Sequence, residues 1–278
     1  MANHSIHGNK VKKVSTPTTS TFFERDNNAT DYVDPSMYLS ILMALMWIAR
    51  LTRPDILFAV TYLASFNKPT QQDYMKLCRI IKYLEVIGNV ALRYKKKPLD
   101  FPVECDSAHN VHQDNKGHGG LSMKLGSAVI HSRSMKLKSV TLDSAESEGY
   151  MMCETAKYIV WQRELLKFLG HVITVATRLF QDSLSAIWQS KHDVKFNRNK
   201  HTSLKRSFMR EKYEEKLLVG THMDRRDLAT DILTHPSVKK DLQHHGLTMG
   251  LVSVPDSLGD ILEKWKEEMK NKKTGKKN

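Results

Sequence analysis

Near residue 100 the hydrophobic pattern of this chain changes period, and that change divides what it can fold into. Before it, apolar residues recur at helical spacing. In TQQDYMKLCRIIKYLEVI (70–87), Tyr74, Leu77, Cys78, Ile81 and Leu84 share one face of an amphipathic helix. PSMYLSILMALMWIAR (35–50) predicts another, with Pro35 in its first turn. Arg53-Pro54-Asp55 interrupts it, and an apolar helical pattern resumes from Ile56 to Phe66. KKKPLD (95–100) is the boundary. Beyond it FPVEC (101–105) is strand-like, HGGLSMKLG and SAVIHS (118–132) look like a strand pair turning near Gly126, and SMKLKSVTL (134–142) alternates as a further strand. Ser144 to Leu169 predicts a long helix, capped by Ser144 and with Gly170 just past its end. Then come a strand over 171–180, a short helix from Asp182 to Gln189, a helix near 202–214, a strand in KLLVGTHM and a final helix starting near Arg226. A helical segment followed by interleaved strands and helices predicts an α/β fold, a mixed sheet with flanking helices.

Charge narrows the function. Lys and Arg number 43 against 30 Asp and Glu, a net charge of +13 that favours polyanions, nucleic acid foremost. Part of that excess crowds the tail, from Lys264 to Lys277, so a solvated basic surface is the competing reading. Three widely spaced cysteines, Cys78, Cys105 and Cys153, argue against a disulfide framework and a cysteine zinc site, and for a reducing compartment. The densest apolar run, Met37 to Ala49, has the length of a core helix and not of a bilayer span. The start MANHSIHGNKVKK lacks an apolar signal region. An intracellular protein, in cytoplasm or nucleus and not secreted, is the expectation.

Four acids stand at telling places in the element order. Asp106 ends the first strand, Glu148 lies in the first turn of the long helix, Asp182 follows a strand, and Asp231 lies in the last helix. Acids at strand ends and helix starts converge at one edge of a sheet. Such a cluster repels itself unless cations neutralise it, and hard oxygen ligands suit Mg²⁺. Two such ions activate a water and stabilise the leaving oxygen of a phosphodiester. His109 and His112 flank Asp106, a weak spacing for a transition metal. Tyr32-Val33-Asp34 lacks the second Asp of a polymerase turn and is set aside.

From about residue 15 to 250 the chain resembles the C-terminal segment of Ty1/copia-type retrotransposon Pol polyproteins, with the motifs in family order. YLSILMALMWIARLTRPDILFAVTYLASF looks like the segment carrying "TRPDI.FAV..LS.F", and KLCRIIKYL like the "A..RIL.YL" helix of the reverse transcriptase connection. CDSAH is similar to the "DADW" that opens the family's RNase H domain. SVTLDSAESEGYMMCETAKYIVWQRELLKFLG looks like "VALSS.EAEY.A...A..E..WLR.LL..LG". QDSLSAI is similar to "CDN..AI", NKHTSLKRSFMRE to "TKHIDI.YHF.RE", and DLATDILTHP to "QLADILTKP" with one residue inserted. Among the departures, Gly149 replaces an aromatic, Ala108 an Asp, Ser183 an Asn, and His235 the Lys of "TKP".

The resemblance implies an RNase H-like mixed sheet with flanking helices over 99–240. It implies a helical connection remnant over 35–98, a polar leader over 1–34, and a C-terminal helix with basic tail over 241–278. The implied activity is metal-dependent endonucleolytic hydrolysis of the RNA strand of RNA–DNA hybrids. Asp106, Glu148, Asp182 and Asp231 would hold two Mg²⁺ ions, with Mn²⁺ as a substitute. Glu146 is the alternative to Glu148, and His222 is the candidate for a histidine that assists near the last Asp. Lys191, Lys195, Arg198, Lys200, Lys205 and Arg206, interleaved with Trp188 and Phe196, are the candidate contacts to the hybrid. A polymerase domain outside this chain is a further expected partner, and no membrane is. The alternative is a catalytically degenerate retroelement fragment, binding nucleic acid or without function.

Overall fold

The computed structural model describes residues 14–26, 28–96, 101–192 and 200–254. The start of the leader, most of the KKKPLD boundary, Lys195, Phe196, Arg198, the side chain of Lys200 and the tail from 255 onward lie outside the described residues.

Helix α1 (Pro35–Leu51) starts at Asp34, whose carboxylate accepts the backbone N–H groups of Ser36 and Met37. One face buries Tyr38, Leu42, Leu45, Met46 and Ala49. The other leaves Leu39, Met43, Trp47 and Leu51 exposed, Trp47 by 69%, so this apolar run is core on one side only. A 3-10 turn (Pro54–Ile56) leads into α2 (Leu57–Leu63), and a Thr70–Asp73 capping box opens α3 (Gln71–Val86). The TRPDI run proves to be a clamp. Arg53 forks onto both oxygens of Asp55 at 2.9 and 2.7 Å and donates to the Ile87 carbonyl at 2.9 Å. Tyr83 donates to Asp55 at 2.7 Å. Arg53, Asp55 and Tyr83 are buried, and together they tie the start of α2 to the end of α3.

The remaining elements are β1 (Val90–Leu92), β2 (Val103–Ala108), β3 (His118–Leu125), β4 (Ala128–Lys136), α4 (Ser144–Phe168), β5 (Thr177–Gln181), α5 (Leu184–Lys191), α6 (Lys200–Glu214), β6 (Leu218–His222), a 3-10 turn (Ala229–Leu233), α7 (Lys239–Met249) and β7 (Leu251–Ser253). β2 to β6 form one five-stranded sheet in the order β4-β3-β2-β5-β6. β2, β3 and β4 pair antiparallel, while β5 and β6 join β2 in parallel. The expected mixed sheet with flanking helices is present. β1 and β7 make a separate antiparallel pair that joins the end of the first helical segment to the end of α7.

Several boundaries differ from the sequence reading, each for a local reason. The strand expected over 134–142 gives only its first three residues to β4. Asp143, not Ser144, caps α4, accepting from Glu146 N at 2.7 Å. Residues 171–176 stay outside the sheet because Arg163 of α4 holds the carbonyls of Ile173 and Val175. The helix expected from Arg226 is instead a turn followed by the 3-10 turn, whose start is held by buried Glu104 accepting from Ala229 N at 2.8 Å.

Side chains alternate across the sheet and build two cores. Val103, Cys105, Leu121 and Met123 pack with Met151, Ile159, Leu179 and Met209, under α4, α5 and α6. On the opposite side Leu42, Phe58 and Tyr62 share a core with Val129, Ile232, Leu233 and Leu242, so the N-terminal helices pack against the sheet's far face. His112 and His118 lie in that seam, 2.9 Å apart, and His118 continues at 2.6 Å to Ser134, which donates to the Leu233 carbonyl. Burial pushes both imidazoles down, His112 to about 4. The described cysteines are free, and no described helix is long and apolar enough to cross a membrane.

Candidate active site

The four acids come from four elements. Asp106 is on β2, Glu148 is in the second turn of α4, Asp182 follows β5, and Asp231 sits in the 3-10 turn before α7. β2 and β5 are neighbours in the sheet, which sets Asp106 beside Asp182. Ligand oxygens of Asp106, Glu148 and Asp182 lie within 4.8 Å of one another, and those of Asp106 and Asp231 lie within 4.8 Å together with a ring nitrogen of His235. Asp106 belongs to both groups. Glu146 is not in either: its carboxylate turns back to accept Leu142 N at 2.7 Å.

Close approach makes this possible at Gly120. It pairs with Asp106 in the β2–β3 register, and a Cβ built there would meet Leu233 Cβ at 2.7 Å and Thr234 Cγ2 at 3.1 Å. The turn carrying Asp231 therefore rests on bare backbone. Gly120→Ala is expected to cost about 1–3 kcal/mol by overpacking and to move Asp231 away from Asp106. Thermal unfolding and cation titration of the variant check this; unchanged values for both would contradict it.

Buried neighbours hold the carboxylates in place. Gln181, fully buried, donates to Glu148 at 2.6 Å and accepts Asp182 N at 2.7 Å. Thr234 donates to Asp106 Oδ2 at 2.6 Å. Arg225 donates to Asp231 Oδ1 at 2.8 Å, and His235 Nε2 lies 3.1 Å from Asp231 Oδ2. Sequence reading missed all four of these residues. The signal for His235 was its i,i+4 spacing from Asp231, and for Gln181 its place just before Asp182 at a strand end.

Electrostatics follow from this packing. Burial pushes Asp106 up to about 6 against the hydrogen bond from Thr234, and the charges of Asp231 and Asp182 add to it. Burial, then the charges of Asp106 and Asp182, drive Glu148 well above the usual carboxylate range. Burial also opposes ionisation of Asp231, but His235 and Arg225 outweigh it and hold that carboxyl low. A cluster of buried, mutually repelling carboxylates is the donor set that a hard divalent cation satisfies.

Asp106 titrates higher in the fold than in the unfolded chain, so the metal-free protein loses stability as pH rises from about 4 through about 6. A divalent cation held by the cluster would restore that loss above this window. Saturating Mg²⁺ or Mn²⁺ is therefore expected to raise the melting temperature by several degrees at pH 8 and hardly at all at pH 5. A shift of equal size at both values would contradict the account.

The remaining candidates lie around this cleft or away from it. His109 lines the cleft but bonds Thr141 at 3.0 Å, and His112 sits in the far seam, so the two do not share a metal site. His222 is at the exposed end of β6, opposite Gln181 in the register and outside the cleft lining. Lys191 donates to the Gly220 carbonyl, Lys205 covers the Tyr150 ring at 3.4 Å, and Arg206 donates to Gln189 at 2.8 Å. Trp188 is exposed and packs against His192.

A five-stranded sheet of this order, with three antiparallel and two parallel strands and helices on its faces, defines an RNase H-like fold. In sequence the chain is similar to the Pol polyproteins of Ty1/copia-type retrotransposons. It is 28% identical over 256 residues to the retrovirus-related Pol polyprotein from transposon RE2 of Arabidopsis thaliana, a match covering 91% of this chain and 17% of that protein. It is 27% identical over 200 residues to the corresponding polyprotein from transposon TNT 1-94 of Nicotiana tabacum, covering 71% of this chain and 15% of that one. The chain thus spans about a sixth of the length of the curated relatives it matches. No family model matches it. Among solved structures, LC11-RNase H1 in complex with RNA/DNA hybrid overlaps 51% of this chain and 99% of its own at 15% identity and a TM-score of 0.37. The foamy viral protease-reverse transcriptase in complex with dsDNA overlaps 74% of this chain and 42% of its own at 14% identity and 0.43.

Proposed function

We propose that this chain is a ribonuclease H, hydrolysing the RNA strand of RNA–DNA hybrids with two divalent cations held by Asp106, Glu148, Asp182 and Asp231. The observation that carries the reading is the convergence of these acids on Asp106 from four elements far apart in sequence. Bound Mg²⁺ would supply charge neutralisation at the phosphodiester and an acidified water. The chain's own residues do the positioning. Gln181 fixes the rotamer of Glu148 and the backbone of Asp182, and Thr234 holds one oxygen of Asp106. Arg225, partly exposed at the cleft, is placed to meet a backbone phosphate once it leaves Asp231.

Lys191, Lys205 and Arg206, with Lys195, Arg198 and Lys200, are assigned to the hybrid backbone, and Trp188 to stacking. His222 is assigned to departing product at the open end of β6. In this reading 99–240 is the nuclease unit, and 35–98 is a connection that faces a polymerase domain.

A substrate panel tests it: hybrid, duplex DNA, duplex RNA and single-stranded RNA, each end-labelled, incubated with the full chain in Mg²⁺. Cutting confined to the RNA strand of the hybrid is expected. Indifference to substrate, or no cutting by folded protein in either Mg²⁺ or Mn²⁺, overturns it.

A further inference from the structure

We propose that the second cation position is a mixed nitrogen–oxygen site, with His235 as a direct ligand beside Asp106 and Asp231, and that it prefers Mn²⁺ to Mg²⁺. The proposal rests on the metal-dependent reading above and assigns a ligand which that reading does not contain.

Thr234 has one hydroxyl proton and two acceptors in reach, the Asp231 carbonyl at 3.0 Å and Asp106 Oδ2 at 2.6 Å, and the shorter contact, to a carboxylate, takes it. Its oxygen is left to accept from His235 Nδ1 at 3.1 Å. That places the proton of His235 on Nδ1 and turns the Nε2 lone pair outward. Outward is toward Asp231 Oδ2, 3.1 Å away. A lone pair facing a carboxylate oxygen at that distance needs positive charge beside it: a proton, a metal ion, or the Arg225 guanidinium, whose Nη2 stands 3.5 Å from Nε2 while its Nε holds Asp231 Oδ1, and which an entering ion would displace. Adjacent ligands on an octahedral ion with bonds of about 2.1–2.2 Å stand about 3 Å apart, so the gap suits one ion sharing both atoms. Asp106 closes the set: its carboxylate offers an oxygen within 4.8 Å of both.

The surroundings support a ligand role. A metal-bound imidazole characteristically donates its other N–H to a fixed acceptor, and Thr234, fully buried, is such an acceptor. His235 itself is only partly buried, at the cleft where an ion enters. The first group, Asp106, Glu148 and Asp182, offers oxygen only, which suits Mg²⁺. The second offers an imidazole, and affinity for nitrogen donors rises from Mn²⁺ along the first transition row while Mg²⁺ keeps to oxygen and water. The two positions are thus chemically unequal although they share Asp106.

Mn²⁺ binding to the full chain, followed by electron paramagnetic resonance, tests this without any turnover. The expected result is two bound ions, one showing a nitrogen coupling whose pattern changes when histidine is labelled with ¹⁵N. His235→Asn should remove the coupling and weaken the second Mn²⁺ by tenfold or more, while Mg²⁺ affinity changes less than threefold. The labelled wild type answers even if the variant folds poorly. Two bound ions without nitrogen coupling, or coupling that survives in His235→Asn, overturn the ligand assignment alone and leave the pair to a proton or to Arg225. Absence of Mn²⁺ binding overturns the assignment together with the metal-dependent reading.

Discussion

Asp55→Ala is expected to destabilise the protein by about 3–5 kcal/mol, lowering the melting temperature by on the order of 10 °C. Arg53 is buried and its guanidinium forks onto Asp55, while Tyr83 donates to the same carboxylate. Removing the acid leaves a buried charge without its counterion and a buried phenol without its acceptor. The loss should far exceed that of Arg53→Met combined with Asp55→Leu, which removes both charges together. Denaturant unfolding of the single and double variants gives the comparison. If the single variant loses less than about 1 kcal/mol, the clamp is not holding α2 to α3.

Asp106→Asn is expected to act in opposite directions on stability and on chemistry. In the metal-free protein at pH 7.5 it removes a carboxyl whose burial pushes it up to about 6, so it should stabilise the fold by roughly 1–2 kcal/mol after the weaker bond from Thr234 is counted. The gain should vanish near pH 4, where the wild-type carboxyl is protonated as well. Cation-induced stabilisation should be lost, since Asp106 is common to both ligand groups. Cleavage should fall by on the order of 10³-fold or more, because both ions lose a shared ligand. Stability bought at the expense of a functional carboxylate cluster is the expected trade for a site built from repelling charges.

Much of this was legible in the sequence. Helical spacing over 70–87 and the apolar run after Asp34 gave α3 and α1, because amphipathic periodicity survives any tertiary context that buries one face. Asp106, Glu148 and Asp182 stood out by their places at strand ends and in an early helix turn, strengthened by the ordered motifs, and the fold brings them together. The choice between Glu146 and Glu148 was not legible: two residues apart on a helix, they point to different sides, and only the position of Asp143 as cap decides which faces the sheet. The element carrying Asp231 was misread as helix because the inserted Thr230 leaves helical spacing intact, whereas the buried carboxylate of Glu104, 125 residues away, fixes the local turn. Arg225 and His235 were hidden for the same reason, since their roles depend on that turn lying against Gly120. Packing of α1 and α2 on the far face of the sheet was also beyond reach, because an apolar face does not announce its partner.

The most direct measurement is cleavage of an RNA–DNA hybrid labelled on the RNA strand, with wild type and Asp106→Asn side by side at equal folded concentration and saturating Mg²⁺. The four-carboxylate account predicts cutting by the wild type and a loss of at least three orders of magnitude in the variant, about 4 kcal/mol of barrier. Equal cutting by both proteins, or none by either in Mg²⁺ or Mn²⁺, would contradict it.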